Sequence, residues 1–232
     1  MHKEFLEKFN FTPPIIKSYN KNGVSVSKHT DNRGPRWVLN ADGETWMVYH
    51  LNNHGQALQF YSHYHLAYGH VICTGLGFGT REHWLATKPE VRKITVLEKY
   101  KEVIDYHKDI GTQWSNKIEI INADANEYKG DCDFLSIDHY ELADVKSIIE
   151  SIKRVVKNIS CKVMWPWMLE GWLDKGYIYN TEKGDVIYYQ PWQSNDLYKS
   201  YDKLKTFLKL KVLPELSPKQ LTDFVNVYWS RI

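Results

Sequence analysis

Three glycines at alternate positions, Gly75, Gly77 and Gly79 in VICTGLGFGT, follow directly on a short apolar run. A loop of that kind lets backbone come close to a ligand where a side chain would obstruct it, and it equally permits a tight turn that packs a helix against a strand. Glu98 ends the run KITVLE nineteen residues after Gly79 and offers a carboxylate that could accept hydrogen bonds from both hydroxyls of a ribose. Asp124, in INADA, could reach the amino group of an adenine. Either acid could instead sit on the surface or cap a helix. Asp138 closes the run DFLSID and His139 and Tyr140 follow it, with Asp138 the candidate general base and the other two in reserve. Asp138 could also hold a loop, and His139 could face solvent. A dinucleotide fingerprint spaces its glycines G-x-G-x-x-G, whereas here they run G-x-G-x-G with no P-loop lysine. The spacing favours a nucleoside without pyrophosphate and weighs against a nicotinamide oxidoreductase.

Elements of two kinds are needed to position these groups. RWVLNADGETWMVYH pairs two β-prone runs around Asp42-Gly43, a dipeptide that tolerates the positive φ of a hairpin turn. From about residue 70, strands alternate with helices: HVICTG, a helix over TREHWLATK stopped by Pro89, KITVLEK, a helix from Tyr100 to near Gly111, KIEIINAD, and DFLSID. A helical stripe from Leu142 to Val156 and a fifth strand, ISCKVMW, complete the series. YIYNTEKGDVIYY predicts a second hairpin near Lys183-Gly184, and two helices end the chain. The last opens on Ser217-Pro218-Lys219-Gln220, a capping box with a first-turn proline. The pattern is α/β: a doubly wound, mostly parallel Rossmann-like sheet with an N-terminal β-hairpin extension and C-terminal helices. We expect an N-terminal β-rich extension over 1–69 and a nucleoside-binding domain over 70–232.

The totals narrow the class of partner. A chain of 232 residues, 43% hydrophobic and 25% charged, is ordinary for a globular protein, and a net charge of +2 gives no strong nucleic-acid signal. The three cysteines, Cys73, Cys132 and Cys161, lie far apart without a CxxC pair, which suggests reduced thiols and a cytoplasmic protein. The segment MHKEFLEKFNF lacks the apolar core of a secretory signal, and no apolar run approaches the ~20 residues of a membrane helix. His63, His65 and His70 in SHYHLAYGH would put two rings on one face of a strand. No Cys, Asp or Glu accompanies them at ligand spacing, so no metal is expected. The nine Trp and sixteen Tyr, MWPWM at 164–168 included, serve either as packing or as an aromatic wall for an acceptor. Oligomerisation stays open.

TGLGFG, VLEK, NADA and FLSID together resemble the class I S-adenosylmethionine-dependent methyltransferases over Val71 to Trp167. Within that superfamily, DGETWMVYH and KPEVRKITVLEKYKEVIDYHK look similar to segments of spermidine synthase-like proteins. The resemblance implies S-adenosylmethionine as cofactor. Gly75, Leu76, Gly77 and Gly79 would then meet its methionine part, Glu98 and Lys99 the ribose, and Asp124 and Ala125 the adenine, with Asp138 near the reacting group. It implies a transferase, methylating a small molecule or transferring an aminopropyl group, with a small-molecule acceptor. The chain departs from the pattern at Cys73, where many members carry an acid, and at Leu51 and Phe78, where spermidine synthases carry Glu and Asp. It departs again at His139-Tyr140-Glu141, which replaces two small hydroxyl residues and Asp. These departures leave room for a binding module without turnover.

Overall fold

The computed structural model describes residues 15–32, 34–50, 58–139, 145–167, 169–175, 177–180, 185–188, 197–208 and 212–229. The N-terminal part is an antiparallel sheet of four strands, β1 (Tyr19–Lys21), β2 (Val24–Asp31), β3 (Gly34–Ala41) and β4 (Glu44–His50), in sequential order. The β3–β4 turn is Asp42-Gly43 as expected, with φ of 53° and 81°. Asn22 and Gly23, at φ 53° and 80°, make the equivalent turn between β1 and β2, an Asn-Gly signal not anticipated above. The expected hairpin is thus the β3–β4 half of a four-stranded sheet.

The second sheet has five parallel strands in the order β7-β6-β5-β8-β9. They are β5 (Gly69–Thr74), β6 (Val91–Glu98), β7 (Ile118–Asn122), β8 (Gly130–Ile137) and β9 (Ile159–Pro166). The flanking helices are α1 (Tyr61–Leu66), α2 (Thr80–Ala86), α3 (Lys101–Asp109), α4 (Val145–Asn158) and α5 (Leu169–Lys175). The chain builds outward from β5 to β7, then returns to β8 on the other side of β5. The switch point between β5 and β8 is where such sheets leave a crevice at their carboxyl ends. The carboxyl halves of β5, β6 and β8 are buried, and there the strands read as mainly apolar runs. Met164 and Trp165, the end of the expected fifth strand, lie within β9 together with Pro166, and Trp165 is fully buried with its indole N–H on Glu170 at 3.0 Å.

A hairpin, β10 (Tyr177–Asn180) with β11 (Asp185–Tyr188), and two helices, α6 (Leu197–Leu208) and α7 (Pro218–Trp229), follow. The Lys183-Gly184 turn itself lies outside the described residues. The capping box forms as expected: Gln220 N–H donates to Ser217 Oγ at 3.3 Å, and Ser217 N–H to Gln220 Oε1 at 3.0 Å. Among the described residues no helix is long and apolar enough to cross a membrane.

SHYHL is helical in α1, not extended, so His63 and His65 do not share a strand face. His63 turns inward with no exposed surface, its Nδ1 2.8 Å from Ser136 Oγ. No group of three or more His, Cys, Asp or Glu able to hold a metal is found among the described residues. The half-buried Lys88 ties the end of α1 to the sheet, its ammonium reaching the carbonyls of Tyr64, His65 and Ala67 at 2.8, 3.1 and 2.7 Å. Burial lowers its pKa, with Glu90 opposing. Lys88→Ala strands these carbonyls at a helix end, and a loss of about 1–3 kcal/mol is expected by denaturant unfolding.

The N-terminal sheet docks on α3. Tyr19 packs edge-on against Tyr106 at 5.2 Å, and its hydroxyl donates to Asp109 at 2.9 Å, the same carboxylate that Lys21 meets at 2.9 Å. Strand β4 thereby comes to lie at the carboxyl end of the parallel sheet.

Candidate functional site

The glycine loop leaves β5 through three left-handed residues, Gly75, Gly77 and Gly79, at φ 77°, 52° and 70°. An L residue would be strained at each, and each also faces another group closely. A Cβ on Gly75 would collide with the carbonyl oxygen of Asp138, one on Gly77 with the Met47 sulfur, and one on Gly79 with the Trp114 ring. The loop is anchored from beneath. Gly75 N–H donates to Leu97 O at 2.8 Å, and the His107 Nε2–H donates to Gly77 O at 2.8 Å. Burial holds the His107 pKa down to about 4, so the ring is neutral near pH 7.

Glu98, the last residue of β6, is 6% exposed. One oxygen accepts Leu76 N–H at 2.9 Å and the other Tyr100 N–H at 2.8 Å. Burial raises its pKa and these amides pull the other way. Each oxygen keeps a second lone pair, so the carboxylate can still accept from two hydroxyls. Leu76 is buried, and its contribution to the site is this amide.

Asp124 follows β7. One oxygen accepts Asn126 N–H at 2.9 Å and Asn126 Nδ2–H at 3.0 Å, a turn cap, while the other lies 3.6 Å from the exposed Lys99 ammonium. Burial pushes its pKa up, but the Asn126 hydrogen bonds and Lys99 outweigh that and leave it lowered. Ala125 is buried within the same turn. Lys99 also stands 5.8 Å above the Tyr100 ring.

Beyond β8, the Asp138 side chain is 27% exposed, its Oδ2 3.9 Å from Arg81 Nη1. Burial lifts its pKa to about 6, with Arg81 lowering and Glu82 raising it. Its N–H donates to Thr74 Oγ1 at 2.9 Å. His139 is no solvent-facing loop residue. Its Nδ1 lies 2.8 Å from Thr74 Oγ1 and its Nε2 2.9 Å from Ser151 Oγ, and the serine continues to Asn126 Oδ1 at 3.2 Å. Both ring nitrogens are committed, and burial holds the pKa near 4, so His139 braces the strand ends as a neutral group. Tyr140 lies outside the described residues.

Two groups that sequence reasoning passed over complete the site. Arg81, in the first turn of α2, is 3% exposed; its Nη2 donates to Thr74 O and Gly75 O at 3.1 and 2.6 Å, and its Nε to Glu82 Oε1 at 2.8 Å. A pair of opposite charges just after a glycine loop was the available signal. Met47, on β4, receives the Phe78 N–H on its sulfur at 3.0 Å. Nothing in its local sequence marks that contact.

The strand ends thus bring Gly75–Gly79, Glu98 and Asp138 together at the switch point, with Asp124 on the neighbouring strand's exit. The donor set suits the nucleoside that the sequence implied: bare backbone in the loop, and a buried acid with spare acceptor capacity beside it. The fit is conditional over Gly77, where Met47 now stands.

The fold is a doubly wound, five-stranded parallel sheet with its glycine loop after the first central strand. No protein-family model matches the chain, and no curated protein matches it. Among solved structures, a spermidine synthase from Thermotoga maritima is similar at 15% identity, with 94% of this chain and 87% of that one covered and a TM-score of 0.47. A spermidine synthase in complex with the transition-state analogue AdoDATO is similar at 15% identity, with 94% and 87% coverage and a TM-score of 0.44. A candidate RNA methyltransferase from Pyrococcus horikoshii is similar at 16% identity, covering 54% of this chain and 66% of its own, with a TM-score of 0.38. Likeness at this level carries no weight on reaction, substrate or site.

Proposed function

We propose that the chain is an S-adenosylmethionine-dependent transferase that methylates a small molecule. The observation that supports this reading best is the seating of Glu98: a nearly buried acid at the end of the second central strand, hydrogen-bonded at 2.9 Å to an amide of the glycine loop. Glu98, with Leu76 holding it, takes the ribose hydroxyls; Gly75 to Gly79 accommodate the methionine part; Asp124, Ala125 and Lys99 flank the base. The cofactor, when bound, supplies an electrophilic methyl group. The protein's own part is to align the acceptor and exclude water. Asp138 takes a proton where the acceptor must lose one; with its pKa near 6 it is mostly ionised at pH 7. The three free thiols support a reducing, cytoplasmic setting.

Calorimetric titration with S-adenosylmethionine and S-adenosylhomocysteine tests the reading. Saturable heat is expected, and silence with both while another nucleotide binds would remove it. Glu98→Gln should weaken binding about 10–100-fold, the worth of a charge-assisted hydrogen bond, and should lower the melting temperature somewhat, because its NH2 would face the Leu76 or Tyr100 N–H that the carboxylate now accepts. An unchanged affinity would show that the ribose does not lie there.

A second reading, a cofactor-binding module without turnover, is favoured by the packing of Met47 and Trp114 on Gly77 and Gly79. Cofactor-dependent modification of any metabolite in a mass-spectrometric screen would refute it. Aminopropyl transfer is a variant of the first reading, and a preference for the carboxylated cofactor over the decarboxylated one would count against it.

A further inference from the structure

The groups packed on Gly77 and Gly79 are of two kinds. Trp114 is locked: His83 stacks on it at 4.7 Å and 11°, and His107 meets it at 5.0 Å. It forms a wall beside Gly79. Met47 is an unbranched side chain with three rotatable bonds, reaching down from β4 so that its sulfur fills the place of the missing Gly77 side chain.

The loop amides show what that sulfur does. Those of Gly75, Leu76 and Gly79 donate to the oxygens of Leu97, Glu98 and Leu76 at 2.8, 2.9 and 2.9 Å. The Phe78 N–H instead meets a thioether, which is a weak acceptor. An oxygen-bearing ligand would satisfy that donor better. Trp46, the neighbour of Met47, packs on Tyr100 at 5.4 Å, so strand β4 is held by a contact in which the Met47 side chain takes no part.

We propose that Met47 is an internal occupant of the glycine-loop subsite, competing through its thioether with the methionine part of the cofactor for the space over Gly77 and the Phe78 N–H. The proposal rests on the S-adenosylmethionine reading. Ligand then binds only to molecules whose Met47 has withdrawn, and the apparent affinity is reduced by that fraction. Shortening the side chain should therefore tighten binding, the reverse of what removing a true contact residue does.

The experiment is calorimetric titration of S-adenosylhomocysteine into the full chain as wild type, Met47→Ala, Met47→Val and Thr45→Ala. Val keeps a strand-favouring residue that stops short of the glycine, which guards against a misfolded Ala variant. Thr45, whose hydroxyl bonds Asn40 on the neighbouring strand, reports on general loosening of the hairpin. Both Met47 variants are expected to bind about threefold tighter or better, with Thr45→Ala unchanged. Binding by the Met47 variants that is equal or weaker, or equal tightening by Thr45→Ala, overturns the competition and leaves the cofactor reading standing. Absence of binding in all four proteins overturns both.

Discussion

Replacing Asp138 with Asn should lower the turnover of an acceptor that loses a proton by about 10²–10⁴-fold, the usual worth of a positioned general base. The wild-type rate should rise with pH to a plateau through a pKa near 6, and the variant should lose that limb. Stability gives an independent reading of the same group. The native state holds the Asp138 proton up to about pH 6, whereas the unfolded chain releases it near 3.8. Between those values the folded protein binds more protons, so the contribution of Asp138 is fully present below the unfolded pKa and falls away as pH rises towards 6. Asp138→Asn should remove this dependence from the unfolding free energy. Full activity in the variant, with the pH limb intact, would transfer the proton to another group.

Arg81→Met is expected to destabilise the protein by about 3–5 kcal/mol, the cost of leaving one member of a buried ion pair alone. Glu82 is 1% exposed and meets Arg81 Nη2 at 2.7 Å, so the lone carboxylate would stay buried. The carbonyls of Thr74 and Gly75 would lose their donor in the same step. Coupling Arg81→Met with Glu82→Gln should recover much of the loss, because a buried pair contributes little net stability compared with a neutral replacement. Denaturant unfolding of the two proteins decides it: a single variant within about 1 kcal/mol of wild type would mean that the pair is hydrated and holds nothing in place.

The centre of the sheet was legible because β5, β6 and β8 end in buried, mainly apolar stretches and several helices start or stop on recognisable residues. Pro89, Gly111 and the Ser217 capping box fall where the sequence set them. The end of β6 at Glu98 and the exit of β8 at Asp138 were equally readable. Less so was SHYHL, whose alternating aromatic and histidine residues look extended; the consecutive burial of Ser62, His63 and Tyr64 shows that tertiary packing decided it as a helix. His139 looked like a loop residue because its partners, Thr74 and Ser151, are far away in sequence. Met47 was illegible for the same reason: its contact with the glycine loop crosses 31 residues and depends on how the N-terminal sheet docks on α3. The glycines themselves advertised a close approach without saying what approaches.

A crystal structure of the protein grown with S-adenosylhomocysteine tests the central claim most directly. The account predicts the ribose hydroxyls on the Glu98 carboxylate, the methionine part over Gly77, and the Met47 sulfur withdrawn from the Phe78 amide. A ligand bound elsewhere, with Met47 still on Gly77 and Glu98 still engaged only with the Leu76 and Tyr100 amides, would contradict it.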